Sequence, residues 1–270
     1  MNRVIYKKNP LVEVIIQYRF PKILSLNNND PVDFQERIKN DYPIYQLTLE
    51  NQQEISFSIE ENNSAVLNSS IINKQATKNH NFISADGSYK INLTSSFISI
   101  STLSYFRWEE MSERFVKVLK VFEEIYSPPF YDRIGLRYID AFSRNNLNLG
   151  ATPWNELIKP HLLGAYSFVD ENNVINNHSE FEYLLDDGIS RAKINTGMGT
   201  VNESTELVFI LDQDFICINN ISIDSANGKL DYLHNQAKRF ISTAICEKLH
   251  AAMEPEDVEW KKVIWIEKTI

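Results

Sequence analysis

Apolar residues recur along this chain with two different periods, and each change of period marks a new element. Leu11 to Phe20 is rich in β-branched and aromatic side chains with polar alternates, and reads as a strand ended by Pro21. Leu26 to Asp30 reads as a polar turn. Asp30-Pro31 then opens a short helix, with Asp30 as its cap, Pro31 at its first position and Phe34 and Ile38 toward the core, until Tyr42-Pro43 ends it. From Ile44 to Leu103 the apolar spacing falls to two, as in Ile55, Phe57 and Ile59, in Ile91 and Leu93, and again from Phe97 to Ser101. These are expected antiparallel strands, and Asp86-Gly87 is their strongest hairpin signal because both residues tolerate positive φ.

Helical spacing takes over from Tyr105 to Tyr126. Trp108, Met111, Phe115, Val118, Leu119, Phe122 and Ile125 fall on one stripe, with Glu109, Glu113, Lys117 and Lys120 off it. Ser127-Pro128-Pro129 stops this helix, and a second pass through the same order begins. Tyr131 to Ala141 reads as a strand and Thr152-Pro153 starts a short helix from Trp154 to Lys159. Strands are expected at Ala165 to Val169, Ser179 to Leu185, Ser190 to Thr196 and Glu206 to Ile218, before a second long helix from Gly228 to Leu249.

The fold expected is therefore α+β in two similar halves. Each half is an antiparallel sheet with a short helix after its first strand and a long C-terminal helix packed on the sheet, an element order like that of helix-grip units. The first repeat spans 1–128, the second 129–254, and a tail at 255–270 reads as either a final strand or a partner-binding segment.

Composition narrows the function. A net charge of −9 works against a general attraction to nucleic-acid phosphates. The chain has 8 glycines and no phosphate-cradling motif, so nucleotide cofactors are not expected. The two cysteines, Cys217 and Cys246, form no framework, and the histidines show no zinc-ligand spacing. No window is long and apolar enough to cross a membrane and no signal peptide is legible, so the expected location is the cytoplasm.

Candidate chemistry concentrates around the central strand. Alternation puts Arg133, Gly135 and Arg137 on one face and Ile134, Leu136 and Tyr138 on the other. The two arginines read as partners of acids such as Asp140, Asp212 or Asp214 across the seam between halves, and Gly135 as a bulge or close backbone approach. An anion clamp is the alternative for the arginines, as is a divalent-metal site or an acid and base pair for Asp212 and Asp214.

The segments Asn9 to Val14, Arg19-Phe20-Pro21, Trp108, Arg133 to Ile139, Leu211 to Asp214 and Leu233-His234 together resemble a sporadically distributed family of bacterial proteins of about this length. The family has no established activity, so the resemblance implies no catalytic residues. Its scattered occurrence implies mobile or defence-related genes. Asp140 stands where the family commonly has asparagine. The expected function is a non-enzymatic protein-binding module, such as a sensor, immunity or accessory subunit of a defence or toxin system, with a protein partner encoded by a neighbouring gene. The alternatives are a small-ligand-binding helix-grip protein and a metal-dependent hydrolase or nuclease. No catalytic, cofactor or metal-ligating residue is assigned.

Overall fold

The computed structural model describes residues 3–50, 77–201 and 204–258. The chain runs β1 (Arg3–Tyr6), β2 (Leu11–Arg19), α1 (Leu24–Asn28), α2 (Val32–Ile38), β3 (Ile44–Glu50), β4 (Thr77–Ile83), β5 (Tyr89–Leu93), β6 (Phe97–Thr102) and α3 (Trp108–Tyr126). It continues through β7 (Tyr131–Phe142), α4 (Pro160–Leu163), β8 (His178–Leu184), β9 (Arg191–Gly199), β10 (Val208–Ile221), α5 (Ile223–Ala244), α6 (Glu247–Ala252) and β11 (Pro255–Val258). The strand expected around Ile55 to Ile59 lies outside the described residues.

Nine strands form one antiparallel sheet in the order β3-β4-β5-β6-β2-β7-β10-β9-β8, where the sequence pattern had pointed to two sheets. The strands fuse because β2 and β7 pair with each other, with Ile16 opposite Leu136 and Tyr18 opposite Ile134. A small second sheet pairs β1 with β11, so the segment after Glu254 begins as a strand against the N-terminal one.

Alternation along β2 sends Val14, Ile16 and Tyr18 to one face, and along β7 it sends Ile134, Leu136 and Tyr138 to the same face; all six are buried. Both long helices lie there. The Tyr18 ring packs edge-on against Phe115 of α3 at 4.9 Å, and its hydroxyl donates to the carbonyl of Ala226 on α5. The α3 stripe of Met111, Phe115, Val118, Leu119 and Phe122 is buried, and each such large side chain stabilises the fold by about 1.5 to 3 kcal/mol.

The opposite face is polar. Gln46, Asn81, Asn92, Ser99, Gln17 and Gly135 lie in register on six successive strands.

Several local expectations are corrected. Leu24–Asn28 is a short helix where a turn was expected. Asp30 does not cap α2; it pairs with Lys78 at 3.0 Å, and Pro31 stands at the cap position. Trp154–Glu156 forms a single 3-10 turn where a helix reaching Lys159 was expected, and α4 begins only after it, at Pro160. Ala165 to Val169 is no strand, because Gly164–Ser167 closes a 3-10 turn on its own backbone. Helix α5 starts before Gly228 and stops at Ala244, since Ile245 bridges Ile158 and the Cys246 N–H donates to Leu157.

Candidate functional site

The five charged residues singled out from the sequence divide between the two faces of the β7–β10 pair. Arg133 donates to both carboxylate oxygens of Asp214, at 2.8 and 3.0 Å, and Arg137 donates to both of Asp212, each at 2.7 Å. Both pairs join β7 to its neighbour β10 and so lie within the second half; the β2–β7 junction is crossed instead by Arg133 donating to Gln17 at 3.1 Å. Gly135 has a steric role here. A Cβ on it would stand 2.3 Å from the Arg133 Nη1, so the missing side chain leaves room for the guanidinium, and the strand has no bulge at that point.

Asp140 is on the other face. Counting by twos from Leu136 and Tyr138 puts it inward, where it is 3% exposed and forms no ion pair among the described residues. Its Oδ2 accepts a 2.7 Å hydrogen bond from Nε2 of Gln213, which is itself 2% exposed and stands inward on β10 between Leu211 and Phe215. The Gln213 Oε1 is buried and receives no donor among the described residues. Burial pushes the Asp140 carboxyl up to about 7, with the Gln213 amide opposing the shift.

Opposite Asp140, β2 carries a bulge between Leu11 and Glu13, a feature that commonly re-aims side chains beside sites. Asp140 and Gln213 line a cavity of about 160 Å³ between the sheet and the helices. Its walls come from Tyr138 and Phe142 on β7, Trp108 at the start of α3, His234 and Ile241 on α5, and Tyr6 on β1. These walls brace one another. Trp108 stacks on the His234 ring at 4.2 Å with the planes 3° apart, and its indole N–H donates to Asp231 at 3.3 Å. The Tyr138 hydroxyl is 2.9 Å from Nδ1 of His234, and the Tyr6 hydroxyl is 2.8 Å from Nδ1 of His250. Burial raises the Tyr138 phenol well above its usual value and Tyr6 to about 12, where the Asp140 and Glu247 charges add to it. Arg107 and Lys238 also border the cavity.

The arrangement holds a carboxyl group that exchanges its proton near neutrality beside an amide acceptor, in a partly open cavity with aromatic walls. Such a base accepts N–H or O–H donors from a molecule entering the cavity. Among the described residues no group of three or more His, Cys, Asp or Glu could hold a metal ion. Both cysteines are free, and Cys217 is buried 2.9 Å from the Ser190 hydroxyl. No described helix is long and apolar enough to cross a membrane.

Sequence reading missed Gln213 and treated Trp108 as core and His234 as without a role. The available signal was polarity at an inward position: Gln213 interrupts the series Phe209, Leu211, Phe215, and Asp140 interrupts Leu136, Tyr138, Phe142. No protein-family model matches the chain, and no curated protein matches it.

Proposed function

We propose that this protein is a small-ligand-binding module whose ligand occupies the cavity between β7 and the helix layer. One observation carries this reading. A buried acid and a buried amide share one hydrogen bond in an aromatic-walled cavity, with no cation paired to the acid among the described residues. Burying such groups without full pairing costs stability, so their retention fits a site better than a scaffold. A fragment library screened by ligand-observed NMR tests it. Hits that vanish in Ala237→Phe, which fills the cavity from α5, are the expected result. An absence of hits, or hits indifferent to that substitution, overturns the reading.

The module is built, in the same proposal, as an internal duplication of helix-grip-like units over 1–128 and 129–254. The repeated element order and the central β2–β7 pairing support it.

A second reading is favoured by one feature of the sheet. Strand β3 is an edge among the described strands and exposes Tyr45, Leu47 and Leu49. Such an edge accepts a partner strand. This supports a protein-binding module, possessing a partner from a neighbouring gene and belonging with the defence-related family the sequence resembles. Affinity capture from the native host that yields no stoichiometric partner removes it.

A further inference from the structure

The chemistry of the cavity narrows the ligand class, given the ligand-binding reading above. Size is the first restriction. A cavity of about 160 Å³ matches one aromatic ring, since an apolar cavity of about 150 Å³ is known to accept benzene.

Polarity is the second. Among the described residues the Gln213 Oε1 has no donor, and Asp140 accepts one hydrogen bond, from Gln213. Two neighbouring acceptors ask for a head group that donates from two adjacent N–H groups. A carboxylate or phosphate head would set negative charge against Asp140.

The mouth gives a third restriction. Arg107 borders the cavity and disfavours a second positive charge on the ligand, which argues against polyamines.

We infer that the ligand is a single flat ring bearing an amidine, guanidine or aminoheterocycle head, with the head's N–H groups accepted by Gln213 Oε1 and the Asp140 carboxylate. The ring lies among Trp108, Tyr138 and Phe142. Those aromatic faces also stabilise positive charge on the head.

Benzamidine and acetophenone separate this inference from the reading it rests on. The two are nearly the same size and shape, but only benzamidine carries N–H donors and a positive charge. Calorimetric titration of the full chain with each, at pH 8 and constant salt, is repeated on Asp140→Asn and Gln213→Leu. The expected result is that benzamidine binds more tightly than acetophenone. Asp140→Asn should then weaken benzamidine by about tenfold or more, the loss of one charge-assisted hydrogen bond, and leave acetophenone unchanged. Gln213→Leu should weaken benzamidine less than Asp140→Asn does. Acetophenone binding as well as or better than benzamidine, with both sensitive to Ala237→Phe, overturns the ligand class and leaves the cavity reading standing. Neither compound binding overturns both. Benzamidine binding that ignores Asp140→Asn places the amidinium elsewhere and also overturns the inference.

Discussion

The two faces of the β7–β10 pair carry acids in opposite circumstances. On the outer face Asp214 and Asp212 each hold a guanidinium by two hydrogen bonds, although Asp214 is only 23% exposed. On the inner face Asp140, less exposed still, has an amide for company. A charge removed from water together with its partner is a structural element, whereas one removed without a partner holds free energy that a ligand can recover. The difference lies in parity along the strands. Arg133 and Arg137 are odd-numbered and share the outer face with Asp212 and Asp214, Arg137 standing opposite Asp214 in the register, whereas Asp140 is even-numbered and faces inward.

The largest expected effect comes from breaking an outer pair. Asp214→Ala leaves Arg133 partly buried with only Gln17 to bond, and should cost ~3 kcal/mol, the low end for a buried pair because water reaches its edge. Urea denaturation at neutral pH measures it. A loss under ~1 kcal/mol would place the outer pairs among weak surface bridges and remove the contrast between faces.

The inner acid should behave with the opposite sign. The Asp140 carboxyl is raised from 3.8 to about 7 in the folded chain, so between those values the folded state holds a proton that the unfolded state has released. Its contribution to stability is therefore fully present below pH 3.8 and is lost as pH rises to about 7. Asp140→Asn keeps the shape and removes the charge. It should leave stability unchanged near pH 4 and raise it above pH 7, by roughly 2 kcal/mol against a ceiling of roughly 4 from the full shift. Urea midpoints of both proteins at pH 4 and pH 8 decide it. A variant less stable than the parent at pH 8 would mean that the carboxylate is satisfied in the fold.

Much of this contrast was legible in the sequence, although its use was incomplete. The α3 stripe, the β7 alternation and the switch to period two read correctly because each rests on a long run of large apolar side chains whose burial dominates local preference. The single sheet was not legible, since nothing in β2 or β7 alone says that their edges meet; that pairing is set by tertiary contact. Likewise Ala165 to Val169 has strand-like composition, but Gly164 at φ 54° and local turns commit it before any neighbouring strand can pair. The arginines and their acids stood out by charge. Asp140 was grouped with them by charge as well, when its parity with Leu136 and Tyr138 already placed it inside. Gln213 went unnoticed because one neutral polar residue in an apolar series is a weak signal until the register sets it beside an acid.

Smaller effects test how the outer face is assembled. Gly135→Ala adds a methyl group where the Arg133 guanidinium lies. The obstructing atoms are the far end of a flexible side chain, so Arg133 can swing away, and the expected cost is about 1 to 2 kcal/mol for the weakened charge-assisted bonds. In an Asp214→Ala background the same change should cost much less, because the bonds it disturbs are already gone. Equal costs in both backgrounds would mean that Gly135 serves the backbone and not the guanidinium.

The smallest effect belongs to Arg137. Its side chain is 44% exposed, against 20% for Arg133, although its two bonds to Asp212 are shorter than those of the neighbouring pair. The exposure of the guanidinium outweighs bond length here: Asp212 is itself 16% exposed, but water and salt screen the pair from the Arg137 side, and truncating that side chain opens the carboxylate to solvent. Arg137→Ala should therefore cost about 0.5 to 1 kcal/mol and lose most of that difference in high salt, whereas the larger cost of Asp214→Ala should persist. If both variants respond to salt alike, the outer face is uniformly wet, and burial ceases to separate the paired charges of the outer face from the inward Asp140.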